Sequence, residues 1–286
     1  MKLFAKQISK LNLRNREYRK FVDELLEFLW REDSASGDTT TKLLKNPRQK
    51  IKAEVTAKSA GVLAGATEVE FFWQKKGIET LTVKKDGSKI KVGETIFKIS
   101  GPAEKILAAE RVGLNLLSRM SGIATATTRL AKKIGKNKLS ATRKTPLGLL
   151  DSKAVVIGGG LPHRLNLADQ ILVKENHLAV DPDCWKKIKT KDFFEVEADS
   201  TKLAIEIATY FSNSRNLVLL LDNFSPARLK KLVPRLKKIN PKIILEASGG
   251  ITNKSAKQYL KTGVDYVSLG ALTHSVAVLD FSLIIV

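Results

Sequence analysis

The sequence predicts an α/β protein in which a small open-faced α+β domain precedes a larger domain of alternating strands and helices. Two patterns indicate this fold class. Strand-like alternation of apolar and polar residues, with a covering helix, dominates the N-terminal third of the 286 residues. Beyond it, short and almost wholly apolar runs alternate with helical segments, as parallel strands covered on both faces do.

The N-terminal domain begins with an amphipathic helix, because apolar residues recur at three- and four-residue steps from Tyr18 to Leu29. The apolar residues of Val69–Trp73 indicate a second helix. Gly101-Pro102 marks a boundary, so this domain is predicted over residues 1–101. Four strand-like segments complete its pattern, at 51–58, 81–83, 90–92 and 96–99.

The larger domain is predicted to begin with two consecutive helices over 103–135, which break near Ser121-Gly122. Because strands then alternate with helices, parallel pairing with right-handed crossovers follows. A barrel is favoured, although a doubly wound open sheet would also gather polar residues at its strand ends. The strands are expected at 171–173, 193–196, 217–221, 243–245 and 266–269, and the helices at 201–211, 226–238 and 253–262.

Composition excludes several classes of protein. The single cysteine, Cys184, allows no internal disulfide and no metal site built on thiolates. No apolar run reaches the roughly 20 residues of a membrane helix, and the basic N-terminus lacks a secretory pattern. We therefore expect a cytoplasmic protein with no membrane partner. The net charge of +21 indicates either attraction to anions or a lysine-rich solvated surface.

Cationic residues are concentrated between Thr142 and His177, among Gly, Pro and short apolar runs. Such a segment is unlike a hydrophobic core. It can bind an anion, because the planar guanidinium of Arg donates paired hydrogen bonds to carboxylates and phosphates. His177 and Cys184 are expected to be structural. Four side chains of the segment can surround a small dianion, namely Arg143, His163, Arg164 and Lys174.

Polar residues also follow the predicted strands of the larger domain. Glu197, Asp222 and Glu246 end three successive strands, where carboxylates can bind Mg²⁺, accept from sugar hydroxyls, stabilise a cationic sugar, or pair with Arg and Lys. Two loops rich in glycine follow the last strands and can bind phosphate through backbone N–H groups. They contain Ser248, Gly249 and Gly250, and Gly270 and His274.

Motifs follow one another along nearly the whole chain, among them EDSASGDTTTKLL, AERVGLNLLSRMSGIATAT, TRKTPLGL, AVVIGGGLPHRLNLADQILVKENH, FEVEAD, LLLDNFSP, LEASGGIT and GVDYVSLGALTHS. In this order they resemble the motifs of quinolinate phosphoribosyltransferase, also called carboxylating nicotinate-nucleotide pyrophosphorylase. The resemblance implies a two-layer N-terminal domain over 1–101, completed by 276–286, and an incomplete α/β barrel over 102–275. It also implies a head-to-tail homodimer.

The same resemblance implies that quinolinate and phosphoribosyl pyrophosphate react with Mg²⁺ to give nicotinate mononucleotide, pyrophosphate and CO₂. Arg111 would reach the active site of the neighbouring subunit. Quinolinate would contact Arg143, His163, Arg164 and Lys174. Lys144, Lys174, Glu197 and Asp222 would be the catalytic residues, with Glu197 and Asp222 also directed to the metal. The 5′-phosphate would lie against Ser248, Gly249, Gly250, Gly270 and His274.

Two departures from the family pattern leave an alternative open. Ala141 precedes TRK where many relatives have an acidic residue or glycine, and Leu150 stands where arginine is common. A relative from molybdenum-uptake operons also shows ATRK, but it usually lacks the lysine that here is Lys174. An alternative of another class is a nucleic-acid-binding protein, indicated by the charge. We expect no nucleic-acid partner, because the strand-end carboxylates would repel a phosphate backbone.

Overall fold

The computed structural model of the protein describes residues 4–286, which form two units. The barrel unit comprises the described residues up to Gln7, Arg129–Thr145 and Gly160–His274. The sandwich unit comprises Ile8–Thr128, Pro146–Gly159 and Ser275–Val286. The predicted boundary at residue 101 stays a prediction, and the first three residues of that domain lie outside the described residues.

An antiparallel sheet forms the centre of the sandwich unit, in the strand order β12-β1-β5-β3. Burial alternates along β1, as expected for a sheet that packs on one face only. Asn15 begins α2 by accepting a hydrogen bond from Tyr18 N. The elements are α1 (Ala5–Lys10), α2 (Arg16–Ser34), β1 (Lys50–Ala57), β2 (Gly61–Val62), α3 (Ala66–Lys75), β3 (Glu79–Thr82), β4 (Lys89–Ile90), β5 (Thr95–Pro102), and β12 (Phe281–Ile285).

A single helix, α4 (Ala103–Ile134), replaces the two consecutive helices expected from the sequence. The prediction of a break at Ser121-Gly122 was wrong, because this pair marks a close contact. A Cβ at Gly122 would collide with Ala277 O and lie 2.9 Å from Val278 Cα. Glycine inside a helix costs only about 1 kcal/mol relative to alanine, so a tight contact can retain it without ending the helix.

Six parallel strands build the barrel unit, in the order β6-β11-β10-β9-β8-β7. They are β6 (Leu139–Ala141), β7 (Leu172–Val173), β8 (Phe194–Ala198), β9 (Leu217–Asp222), β10 (Ile244–Ser248) and β11 (Tyr266–Leu269). Within residues 4–286 no pairing joins β7 to β6, so the barrel is incomplete, as predicted. The helices are α6 (Glu175–Val180), α7 (Thr201–Tyr210), α8 (Pro226–Ile239), α9 (Ala256–Leu260) and α10 (Ala271–His274), and α5 (Leu149–Ile157) lies in the sandwich unit.

An apolar cluster in the barrel unit joins the start of the described chain to residues of the strands β9 and β11. Phe4 is 2% exposed and packs edge-on against Tyr266, with ring centroids 5.7 Å apart. Leu161 and Val218 complete the cluster. No helix within residues 4–286 is both long and apolar enough to cross a bilayer.

Replacing Phe4 by alanine is expected to lower the free energy of unfolding by about 3 kcal/mol, the lower end of the usual cost of deleting a buried phenylalanine. Urea denaturation followed by fluorescence measures the change. Phe28→Ala is the matched control, since that ring is 66% exposed, and its effect should stay within about 0.5 kcal/mol. Equal midpoints for the two variants would contradict the prediction.

Candidate active site

A cavity of about 820 Å³ lies at the carboxyl ends of the strands of the barrel unit. Its walls contain every site residue predicted from the sequence except Arg111: Arg143, Lys144, His163, Arg164, Lys174, Glu197, Asp222, Ser248, Gly249, Gly250, Gly270 and His274. Parallel strands bring these distant positions together because their carboxyl ends share one rim. The individual roles assigned to these residues stay predictions.

Two predicted or candidate cations lie elsewhere. Arg111 is on α4 in the sandwich unit, where its side chain is 63% exposed and its Nη2 lies 3.9 Å from Glu110 Oε1. Its contribution to a neighbouring subunit stays a prediction. Lys153, another cation of the 142–177 segment, donates to buried Glu68 over 2.5 Å in the sandwich unit and is absent from the cavity wall.

The cationic side of the cavity is built by three loops. Arg143 and Lys144 follow β6, and Thr273 Oγ1 donates to Lys144 O over 3.0 Å. Arg164 Nη1 donates to Gln170 O over 3.3 Å, while its buried Nε has no partner within residues 4–286. Burial lowers the pKa of Arg164, and the charge of Arg143 lowers it further. Two guanidinium groups this close repel each other, so an anion bound between them would be stabilised.

His163 has a defined orientation at the floor of the cavity. Its Nδ1 accepts from Arg164 N over 3.0 Å, so in the neutral ring Nε2 carries the proton. That nitrogen lies 3.5 Å from Glu195 Oε2 and 3.9 Å from Glu246 Oε1. Burial lowers the pKa of His163, which favours the neutral imidazole at neutral pH.

Beneath His163, two buried glutamates contact each other. Burial raises the pKa of Glu195 to about 7 and the pKa of Glu246 to about 8. Ser268 Oγ donates to Glu246 Oε1, but Glu195 Oε1 and Glu246 Oε2 have no partner within residues 4–286. One proton shared between the carboxyl groups satisfies these atoms and removes a buried negative charge. One nitrogen of His163 and one carboxylate oxygen of each glutamate lie within 4.8 Å of one another, a spacing that a metal site could also have. The contact between the two carboxyl groups favours a shared proton instead.

Glu195 was not among the residues identified from the sequence, and the interpretation of Glu246 as the end of its strand was wrong. β10 continues to Ser248, so Glu246 lies two residues inside the strand and is fully buried. One signal was available for Glu195. Residues two apart on a strand share a face, so Glu195 lies on the same side of β8 as Glu197.

We expect Glu246→Gln to change how stability depends on pH. Because the pKa of the folded carboxyl is raised, the folded state binds more protons than the unfolded state between about pH 4.5 and 8. The free energy of unfolding should therefore fall as pH rises through this window. Glutamine cannot ionise and should flatten the decline, which urea denaturation across the window measures. Glu32→Gln, at an exposed glutamate of α2, should keep the wild-type slope; an unchanged slope in Glu246→Gln would contradict the shared proton.

Two carboxylates at the ends of neighbouring strands face the cavity. Glu197 lies one residue before the end of β8, and Asp222 is the last residue of β9. Burial raises the pKa of Glu197 and the charge of Asp222 adds to the effect, while Lys174 Nζ lies 3.6 Å from Glu197 Oε2. Mg²⁺ prefers one or two carboxylates together with phosphate oxygens. The pair therefore has the ligand chemistry that a magnesium ion requires.

The loop after β10 requires glycine at one position. Gly249 has φ 85°, and a Cβ there would collide with Asn223 Oδ1 and lie 2.7 Å from Asn223 N. Asn223 in turn donates from Nδ2 to Asp222 Oδ2 over 2.7 Å. A loop that binds phosphate through its N–H groups needs a backbone that the phosphate can approach without meeting a side chain. Directly after β11, a Cβ at Gly270 would lie 2.8 Å from His274 Cδ2.

Family models match both parts of the chain. The model described as the quinolinate phosphoribosyl transferase N-terminal domain matches residues 38–121. The model of the C-terminal domain matches residues 123–284. Together they cover the residues of the cavity and most of the sandwich unit.

Relatives and solved structures agree with the family models. A probable nicotinate-nucleotide pyrophosphorylase [carboxylating] of Archaeoglobus fulgidus is 37% identical over 83% of this chain and 95% of its own length. The one from Bacillus subtilis is 36% identical over 92% of each chain. The crystal structure of NadC from Streptococcus pyogenes aligns with TM-score 0.80 at 32% identity, covering 92% of this chain and 96% of that one. The chain therefore belongs to the quinolinate phosphoribosyltransferase family.

Proposed function

We propose that the protein transfers the phosphoribosyl group of phosphoribosyl pyrophosphate to quinolinate with decarboxylation, giving nicotinate mononucleotide, pyrophosphate and CO₂ for NAD biosynthesis. One observation carries the proposal. A single cavity combines a cationic side, Arg143, Arg164 and Lys174, with the paired carboxylates Glu197 and Asp222. A doubly acidic pyridine suits the first group, and a sugar that becomes cationic suits the second. The family and the names of the relatives support the same reaction.

Quinolinate carries two neighbouring carboxylates, and the cationic side can hold both. Arg143 and Arg164 provide planar donor forks, and Lys174 adds a point charge. Neutral His163 can donate from Nε2 at the floor of the cavity without adding to the repulsion among these cations. A charge-assisted hydrogen bond contributes about 1.5–3 kcal/mol, so two carboxylates held in this way account for about micromolar binding.

Phosphoribosyl pyrophosphate would occupy the other half of the cavity. Its 5′-phosphate would lie against Ser248, Gly249 and Gly250, and its ribose would approach Asp222. Lys144 would contact the pyrophosphate. Glu197 and Asp222 would hold Mg²⁺, which when bound neutralises charge on the departing pyrophosphate.

The chemistry requires positioning more than proton transfer. The bond between C1 of the ribose and the pyrophosphate oxygen breaks as the pyridine nitrogen bonds to C1, with positive charge building on the sugar. Glu197 and Asp222 can stabilise that charge. The ring nitrogen is then cationic, so the bond to the adjacent carboxylate breaks with its electron pair passing to the ring. CO₂ leaves and a proton from water takes its place on the ring, while the side chains that line the cavity keep the two substrates aligned.

The proposed function is tested by incubating the purified protein with quinolinate, phosphoribosyl pyrophosphate and Mg²⁺. Nicotinate mononucleotide and CO₂ are expected in equal amounts. Nicotinate offered in place of quinolinate should give little product, because it lacks the second carboxylate. Turnover of nicotinate alone, or none with either acid, would overturn the proposal.

We further propose a cytoplasmic homodimer in which Arg111 completes the active site of the partner subunit. The exposed side chain of Arg111 supports this, because among residues 4–286 only Glu110, at 3.9 Å, forms a salt bridge with the guanidinium. Inactive Arg111→Ala and inactive Lys144→Ala proteins should regain activity when they are mixed, unfolded and refolded together, because some mixed dimers contain one intact site. No recovery in a mixture that forms dimers would contradict the shared site.

The molybdenum-operon relative remains the second candidate, favoured by Ala141. That residue is 4% exposed within β6, and Leu150 is fully buried on α5. Neither lines the cavity, whereas Lys174 does. Because substrate choice depends on the groups that contact ligand, Lys174 supports quinolinate more strongly than Ala141 opposes it.

A further inference from the structure

The helices α8 and α9 give one side of the barrel unit an unbalanced charge. Between Asp222 and Asp265 the chain contains ten Lys and Arg but one acidic residue, Glu246. Glu246 is fully buried inside the barrel, so it cannot balance the surface. Lys237 pairs with Asp265 over 2.9 Å. We call six of the exposed cations of these two helices the basic face: Arg228, Lys231, Arg235 and Lys238 on α8, with Lys257 and Lys261 on or next to α9.

The basic face is ordered by the secondary structure beneath it. Leu229, Leu232 and Leu236 are buried and hold α8 in place. The four α8 cations recur at steps of three, four and three residues, which places them in one stripe along the helix. At 1.5 Å per residue the stripe is about 15 Å long. α9 packs directly beside α8 and adds its two lysines.

No salt bridge within residues 4–286 neutralises these six cations. Among the described residues, their only charge-related contact is that of the Arg228 guanidinium, which lies 4.4 Å from the centroid of the Phe224 ring. Like charges within a Debye length of about 8–10 Å repel one another. A bound polyanion would relieve this repulsion and release its counterions.

The basic face lacks exposed apolar and aromatic side chains, and this limits the kind of polyanion that it can bind. A membrane-surface helix needs exposed apolar anchors, but no large exposed hydrophobic residue lies between Tyr210 and Val278. Stacking of single-stranded bases needs exposed aromatic rings, and the face has none. Phosphate contacts alone remain, and a strand of a duplex presents about four phosphates along 15 Å.

We propose that the basic face binds the phosphate backbone of a nucleic-acid duplex without sequence preference. This property is separate from the proposed reaction, because none of the six cations lines the active-site cavity. The expectation against nucleic acid considered only the carboxylates at the strand ends, which face the cavity. Binding near physiological salt should have a Kd of about 10⁻⁴–10⁻⁶ M, the usual range for non-specific contacts.

The test uses a short fluorescein-labelled DNA duplex of mixed sequence and fluorescence anisotropy at several NaCl concentrations. In the triple variant Lys231→Glu/Arg235→Glu/Lys238→Glu, affinity for the duplex should fall by roughly tenfold or more. The dependence of log K on log salt should become less steep by about three. The matched control Lys45→Glu/Lys58→Glu/Lys89→Glu changes net charge equally at exposed positions of the sandwich unit. It should lose much less affinity. Both triple variants should keep the wild-type circular dichroism spectrum.

Several outcomes would overturn the proposal. They are no binding by the wild type, equal losses in the two triple variants, or competition by saturating phosphoribosyl pyrophosphate, which would place the duplex in the cavity. Co-sedimentation with vesicles that contain phosphatidylserine tests whether the basic face binds a membrane instead. Binding to vesicles in preference to the duplex would assign the face to a membrane.

Discussion

Arg164→Ala is expected to lower kcat/KM for quinolinate by about a hundredfold, because a bidentate hydrogen bond from arginine to a carboxylate contributes about 3 kcal/mol. The KM for phosphoribosyl pyrophosphate should change little. The guanidinium of Arg164 is partly buried, and its Nη1 is already held by Gln170 O over 3.3 Å. Little ordering of the side chain is therefore required when the substrate binds. Steady-state kinetics with each substrate varied in turn measures both parameters.

Two further variants separate charge from geometry at this site. Arg164→Lys keeps the charge but loses the planar fork, so it should recover only part of the lost kcat/KM. Arg143→Ala should also raise the KM for quinolinate, because Arg143 lies close enough to affect the pKa of Arg164. Lys187→Ala, at an exposed lysine outside the cavity, should behave as wild type. Wild-type kinetics in both arginine variants would remove the proposed quinolinate pocket.

Gly249→Ala is expected to lower kcat/KM for phosphoribosyl pyrophosphate by about a hundredfold or more, since misplacement of about 1 Å can have that effect. The added Cβ cannot fit beside Asn223, and the φ of 85° is itself unfavourable for alanine. Asn223 must then move, together with its hydrogen bond to Asp222. Quinolinate binding, measured by calorimetry, should persist because the cationic side of the cavity is untouched.

Gly250 offers a matched comparison within the same loop. Its φ is 60°, but a Cβ there meets no protein atom within 4 Å. Gly250→Ala should therefore lower the melting temperature less than Gly249→Ala does. Asn223→Gly removes the side chain that the new Cβ would strike, so Gly249→Ala/Asn223→Gly should regain part of the lost stability. If the second substitution brings no recovery, contact with Asn223 is not the cause of the loss.

Much of the fold could be predicted because local pattern reflects local structure. The strands β8 to β11 were predicted because their residues are almost wholly apolar, and α2 was predicted from its three- and four-residue repeat. β6 was missed because three residues are too few to show a period. Gly122 was misinterpreted because a glycine retained for a close contact resembles one that ends a helix.

The sequence established the chemical groups that the site could use: cations among Gly and Pro, carboxylates near strand ends, and glycine-rich loops. The α/β class was predictable as well, since the periods of helix and strand are properties of neighbouring residues. Which of these groups share a cavity depends on how the elements pack. Packing pairs Lys153 with Glu68, outside the cavity wall, and places Glu246 beneath His163 rather than at the rim.

The protonation of the cavity floor was likewise decided by tertiary structure. Glu195 and Glu246 are far apart in the chain, yet burial raises the pKa of both, and the charge of Glu195 raises the pKa of Glu246 further. Solvation and Coulomb interactions depend on depth and distance in space, which residues distant in sequence set together. For that reason the sequence indicated the charges of this site, and only the fold decided which of them persist at neutral pH.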